Sequence, residues 1–306
     1  MESTFIKADK DIAAMRTLLQ KSGEQSMLVD FEEMLLLDSI RAACRLWWHG
    51  ESLAGFALVD GYNNLWFELD EAFRIQDLER EVVAWGAKLM SQRNSINSRE
   101  DTLDVCLSAR NDWQLGVVER AGFSRQAIEA LSFRLGLADL GPEMALPVGY
   151  VIRPAIGEVE VDDLVSLHRQ AFGTEHMDRD QRLAIMRAPG YVPALDLVAL
   201  TPAGKMAGFC IGSLDTQKSE IGYTDPIGVI PTERHKGLAP ALVDRCLRGL
   251  KNEGAREARL GTSSDNVAMR GVAEKLGFKL LERRCWYSLE VGDALKSIIN
   301  SFFEED

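Results

Sequence analysis

Apolar and polar positions along the 306 residues fall into two passes of one order. In the first, Phe5-Ile6 reads as a short strand, and Ile12 to Leu19 carries helical spacing. Helical periodicity continues from Phe31 to Arg45. Leu46-Trp47-Trp48 and Ala54 to Val59 read as a hairpin, and Leu65 to Leu69 follows as another strand. Leu78 to Met90 returns to the helical period and Leu103 to Leu107 to that of a strand. A helix from Asp112 to Arg120 then stops at Gly122, a glycine suited to a helix C-terminus.

The second pass opens with a strand at Tyr150 to Arg153 and helices at Val161 to Phe172 and Arg179 to Arg187. Asp196 to Leu200 and Met206 to Ile211 form a hairpin pattern, and Ile221 to Ile230 a strand. Leu242, Val243, Cys246, Leu247 and Leu250 mark the buried face of a helix from Pro240 to Glu253. Arg259 to Thr262, a helix after Asn266, and Arg284 to Leu289 complete it. Three landmarks repeat in order. Ala54-Gly55-Phe56 returns as Ala207-Gly208-Phe209, offset 153; Asn111 with Gly122-Phe123 returns as Asn266 with Gly277-Phe278, offset 155; Arg74 returns as Arg234, offset 160. One duplicated module with altered loops leaves such a trace.

The stretch Val229-Ile230-Pro231-Thr232-Glu233-Arg234-His235-Lys236-Gly237-Leu238-Ala239 takes a strand through a basic, glycine-bearing turn into the Pro240 helix. A helix start presents unpaired N–H groups and the positive end of a dipole, so it holds a phosphate readily. Arg234 and Lys236 add mobile positive charge, and Gly237 lets backbone approach an anion.

The spacing Val-x-Pro-x-x-Arg-x-x-Gly-x-Ala resembles motif A of the GNAT superfamily of N-acetyltransferases. Asn266-Val267-Ala268-Met269-Arg270-Gly271-Val272-Ala273-Glu274-Lys275-Leu276-Gly277-Phe278 resembles its motif B. The resemblance covers roughly residues 149–290 and implies a mixed sheet splayed around acetyl-CoA. With the repeat, it makes the chain an α/β (α+β) protein of two tandem GNAT-like domains, each a mixed, mostly antiparallel twisted sheet flanked by helices. The expected divisions are a degenerate first domain at 1–140, a linker at 141–148 and a catalytic domain at 149–291. An amphipathic helical tail at 292–306 completes the chain. The arrangement resembles the mycothiol synthase group of tandem members.

The resemblance also implies roles. The backbone of Ile227, Gly228 and Val229 pairs with the pantetheine arm of acetyl-CoA, with the Val229 N–H as oxyanion donor. Arg234, His235, Lys236, Gly237, Leu238 and Ala239 take the pyrophosphate. Asn266 contacts CoA or caps its own helix, or both. The general base belongs on the strand before the turn: unbroken alternation puts Asp225, Ile227 and Val229 on one side, with Glu220 and Tyr223 as alternatives. A bulge there would change the facing. Asp225 reads equally as a solvated acid ahead of Pro226. Many members carry a tyrosine, proposed to protonate the leaving thiolate, where this chain has Ala273. Tyr287, Tyr223 or Cys285 then serves instead, or the thiolate leaves unaided, or the domain binds acetyl-CoA without fast turnover. His176 falls in the acceptor loop or in solvent.

Aligned on Arg74 without gaps, Asp77 and Glu79 stand where Gly237 and Ala239 do, and serve as capping charge at a helix that has lost its phosphate site. The net charge of −12 argues against nucleic acid as a partner and suits a cationic small-molecule amine. No apolar run reaches the length of a membrane span, and Met1-Glu2-Ser3-Thr4 opens no signal sequence. Five scattered cysteines without metal-ligand spacing fit a reduced, cytoplasmic setting and no metal. A homodimer is the commonest assembly to expect. The functional reading is an N-acetyltransferase acting on a small amine; the alternative is an acetyl-CoA-binding regulator or scaffold.

Overall fold

The computed structural model describes residues 1–22, 28–138 and 140–292. The expected C-terminal helix lies outside them. The first pass contains β1 (Glu2–Thr4), α1 (Asp9–Ser22), α2 (Leu28–Met34), α3 (Asp38–Ala42), β2 (Cys44–His49), β3 (Ser52–Val59), β4 (Leu65–Leu69), α4 (Gln76–Asn97), β5 (Leu103–Ser108), α5 (Asp112–Arg120) and β6 (Ser124–Gly136). The second contains β7 (Val151–Pro154), α6 (Val161–Phe172), α7 (Arg179–Arg187), β8 (Tyr191–Leu200), β9 (Met206–Leu214), β10 (Ile221–Tyr223), β11 (Ile227–Val229), α8 (Leu238–Asn252), β12 (Glu257–Ser263), α9 (Val267–Lys275) and β13 (Lys279–Leu289). Two compact units result: Met1–Glu129 with the segment from Arg284 onward, and Ala130–Arg283. Both are α+β, with mixed, mostly antiparallel sheets flanked by helices.

The expected divisions at 140 and 149 follow the loop chemistry, whereas the units follow strand pairing. Residues 130–136 of β6 pair antiparallel with β12 in the second unit. Residues 284–289 of β13 pair antiparallel with β5 in the first. The single helix expected at 31–45 is two short helices separated at 35–37, and it stops before 45 because Cys44 already pairs with Leu58 as a strand.

In the first unit β1-β2-β3-β4 is an antiparallel meander. One core, around Met15, Phe31, Leu46 and Phe56, lies under α1, α2 and α3. Another, around Trp47, Phe67, Val82 and Val118, takes Cys285, Tyr287 and Leu289 from β13. In the second unit β8 and β9 are the long strands. Leu242, Val243, Cys246, Leu247 and Leu250 of α8 pack against Leu195, Leu197, Ala207 and Cys210, as the helical spacing requires. Each leucine or valine so removed from water contributes about 1.5–3 kcal/mol. Leu164, Leu167 and Ile185 of α6 and α7 pack against Val198, Phe209 and Ile211 on the other face. Alternation divides β9 between the two faces, with a register shift beside Ala207 bringing it to the same face as Cys210.

The repeat survives as geometry. Gly55 pairs with Leu69, and Gly208 with Val229. A Cβ at Gly55 would lie 2.9 Å from the Glu68 carbonyl oxygen, and one at Gly208 2.8 Å from that of Gly228. Glycine is therefore required at the same crossing in both units.

Candidate functional site

The site is built on β9. Its residues 213 and 214 pair with β10, and 208 to 210 with β11. From Ser213 to Cys210 is a step of three, while the partners Tyr223 and Ile227 are four apart. The extra residue is a bulge, and it takes Tyr223 out of the alternation that Ile227 and Val229 keep. Tyr223, opposite Ser213, shares a face with Phe209 and Ile211; Ile227, opposite Cys210, faces α8.

β10 runs parallel to β12, from Ile221 opposite Glu257 to Tyr223 opposite Arg259. The Thr224 N–H donates to the Arg259 carbonyl at 3.0 Å, and the Gly261 N–H to Asp225 Oδ2 at 2.7 Å. Beyond that carboxylate β11 pairs with β9, and the two strands separate. Asp225 therefore sits at the apex of a splay. The Ile211 N–H donates to the Pro226 carbonyl and the Ile230 N–H to the Ala207 carbonyl. Even-numbered residues thus direct their backbone to β9, and the backbone groups of Ile227 and Val229 point into the gap.

The gap leads to the turn. A single 3-10 turn spans Pro231–Glu233, His235 and Gly237 take positive φ values of 63° and 85°, and α8 starts at Leu238. A Cβ on Gly237 would meet nothing within 4 Å, so glycine answers the left-handed backbone there and leaves its outer side open. No side chain caps α8. The first N–H groups of the helix and its positive end are thus left without a capping side chain, while Pro240 contributes no N–H.

The cations of the turn are tethered, contrary to the expectation of mobile charge. Arg234 donates from Nε to the Val229 carbonyl at 3.2 Å and from a terminal nitrogen to the Ala171 carbonyl at 2.8 Å. Lys236 lies 2.8 Å from the Glu233 carboxylate and 3.2 Å from the Tyr150 hydroxyl, which itself donates to Glu233. Hydrogen bonding to Glu233, then to Tyr150, raises the Lys236 pKa; bonding to Lys236, then Tyr150, lowers that of Glu233. What the turn offers an anion is therefore helix-start N–H groups and the dipole rather than free side chains. His235 is exposed, and Leu238 anchors the turn in the core.

The other candidates disperse. Glu220 is exposed at the start of β10, opposite the turn end, where its carbonyl accepts from Arg256 and Glu257. The Tyr223 hydroxyl donates to Asp215 at 3.1 Å. Asn266 caps α9, accepting from the Met269 N–H at 3.0 Å. Ala273 is fully buried in the α8 core. Tyr287 and Cys285 belong to the first unit, where burial and the Glu119 carboxylate raise the Tyr287 pKa. His176 is exposed in the loop before α7.

One cluster had no sequence signal, since its members are joined only by folding. Arg182 of α7 pairs with Asp196 of β8, both buried, and the Tyr191 hydroxyl donates to Asp196 at 2.6 Å. His168 stacks against Phe209 with ring centres 5.6 Å apart and against Phe172 at 4.6 Å. Burial, then the Arg182 charge, lowers its pKa to about 4, so it is neutral near neutral pH. Among the described residues no group of three or more His, Cys, Asp or Glu could hold a metal, and no helix is long and apolar enough to cross a membrane.

The splayed strands, uncapped helix start and doubled module define the class as an acetyltransferase fold in tandem. The family model described as "Acetyltransferase (GNAT) family" matches residues 161–278. An acetyltransferase of Pectobacterium atrosepticum is 31% identical over 103 residues, 34% of this chain and 70% of that one. A mycothiol acetyltransferase of Pseudarthrobacter chlorophenolicus is 24% identical over 241 residues, 75% of this chain and 72% of the relative. A tandem GNAT protein from the clavulanic acid biosynthesis pathway superposes with a TM-score of 0.63 at 19% identity, covering 81% of this chain and 82% of that one. The chain belongs to the GNAT family of acetyltransferases.

Proposed function

We propose that the second unit transfers an acetyl group from acetyl-CoA to the amine of a small molecule. The observation that carries the reading is the continuity of the gap-facing backbone of Ile227 and Val229 with the uncapped start of α8. An extended, amide-bearing arm ending in a pyrophosphate fits that run of donors and acceptors. In this reading Ile227 and Val229 hold the arm, the Val229 N–H polarises the acyl carbonyl, and the turn from Arg234 to Ala239 binds the pyrophosphate through backbone. Asp225, at the apex, is the group kept as proton acceptor for the amine. With a buried alanine at 273, the thiolate leaves unaided. The likeness to mycothiol acetyltransferases supports a small-molecule acceptor.

The test is release of CoA thiol from acetyl-CoA across a panel of small amines, polyamines, antibiotics and peptide N-termini, with Gly237→Glu alongside. Acceptor-dependent release abolished by the substitution is the expected result. Binding of acetyl-CoA without release for any acceptor would favour a regulator or scaffold, and no binding would overturn both readings.

A further inference from the structure

The first unit has the same strand frame, and its groove is already occupied. β4 and β5 meet at the parallel bridge between Asn64 and Asp104, as β10 and β12 meet before their splay. The Asp70 N–H donates to the Ala54 carbonyl, as that of Ile230 does to Ala207. By the same alternation Phe67 and Leu69 direct their backbone away from β3, into the gap beside β5. They correspond to Ile227 and Val229, because Leu69 pairs with Gly55 as Val229 does with Gly208.

Each of the two residues has a gap-facing group taken by a side chain of the unit itself. The buried Gln114 amide, in the first turn of α5, donates to the Phe67 carbonyl at 2.8 Å. The Leu69 N–H donates to the fully buried Glu68 carboxylate at 3.1 Å, and Arg74 lies 3.4 Å from that carboxylate. Trp113 closes the layer: the Arg74 guanidinium sits 4.0 Å from its ring centre, and Phe67 meets it edge-on at 5.9 Å. Its indole N–H donates to Glu79, which also accepts from Arg120. Glu79 is thus an internal brace rather than capping charge.

The corresponding residues of the second unit cannot do this. Glu68 is replaced by Gly228, Trp113 by an exposed Ala268, and Gln114 by Met269, which has no amide to donate. The turns differ as well. α4 starts two residues after Arg74 on an extended Ile75, whereas α8 starts four residues after Arg234, past the left-handed Gly237. The gapless match of Asp77 to Gly237 therefore fails: the first unit lacks two residues of the turn.

We infer that the groove of the first unit is a ligand site closed from within, its Gln114 amide and Glu68 carboxylate standing on the backbone groups that a pantetheine amide and an acyl oxygen would use. The chain then takes up one acetyl-CoA, in the second unit. The assignment of ligand parts rests on the function proposed for that unit. The experiment combines equilibrium binding of acetyl-CoA to the full chain and to Gly237→Glu with amide exchange at Leu69 in the unmodified chain, Glu68→Ala and Glu68→Gln. One nucleotide per chain, none in folded Gly237→Glu, and slow Leu69 exchange that Glu68→Ala speeds at least about tenfold are expected. Glu68→Gln, which keeps an acceptor oxygen, restores slow exchange. Two nucleotides per chain, or binding retained by Gly237→Glu, would overturn the closed groove. If the unmodified chain binds none, the proposed function fails and Leu69 decides alone: fast exchange, or exchange indifferent to Glu68, overturns the inference, and slow Glu68-dependent exchange upholds it.

Discussion

Arg234 donates its Nε to the carbonyl of Val229, the residue that heads the turn, and Arg74 does the same to Leu69 at 3.3 Å. The arginine of the repeat is thus first a clamp on the end of a strand. Arg234 extends the clamp to the Ala171 carbonyl at the end of α6. A lysine is a single point donor and cannot span both carbonyls. Arg234→Lys is therefore expected to raise the KM for acetyl-CoA about tenfold, the low end for charge-assisted bonds at an exposed group. Steady-state kinetics check this, and an unchanged KM would return Arg234 to a general electrostatic role.

Asp225 holds the apex through the Gly261 N–H. Asparagine keeps an oxygen for that bond and loses the basicity. Asp225→Asn should keep the thermal midpoint near that of the unmodified protein while kcat/KM falls about 10²–10⁴-fold, the usual contribution of a general base. Activity within a few-fold of the original would leave Asp225 as an anchor only.

His168 gives the second unit a pH response. Its folded pKa, about 4, lies below the ordinary 6.5, so between those values the unfolded chain binds more protons. Stability then falls as pH drops from 6.5 towards 4, and His168 adds no further loss below. His168→Phe, which keeps a ring between Phe172 and Phe209, should flatten that slope in urea titrations. An equal slope in both proteins would assign the acid sensitivity elsewhere.

Ala273 has no exposed surface. Ala273→Tyr is expected to destabilise the protein by about 1–3 kcal/mol or more through overpacking, with no gain in turnover. Denaturant melts paired with rate measurements test both halves; a faster enzyme of ordinary stability would show that the position reaches the leaving group.

What could be read from the sequence is what local spacing controls. The α8 stripe and the turn into it were legible because period and backbone freedom are properties of neighbours along the chain; Gly55 and Gly208 showed only as landmarks of the repeat, since their reason is a carbonyl on the next strand. The bulge between Tyr223 and Ile227 was not: it exists only against the shorter step on β9, and with it went the facing of Tyr223 relative to Ile227. The missing two residues after Arg74 escaped for the same reason, since only the strand register and helix start reveal them. Strand 124–136 alternates too weakly to announce itself, having Ser124, Arg125, Gln126, Ala127 and Ile128 all exposed. The His168 and Arg182 cluster joins separate elements with no spacing rule.

The assignment of 130–136 to the second unit and of 284–289 to the first has a consequence for synthesis. The first unit, although its leading strands emerge early, has no antiparallel partner for β5 until β13 has been made. The second, despite coming later, holds its β6 strand from the outset. Order of translation and order of completion are therefore reversed, and the half without the proposed turn closes last.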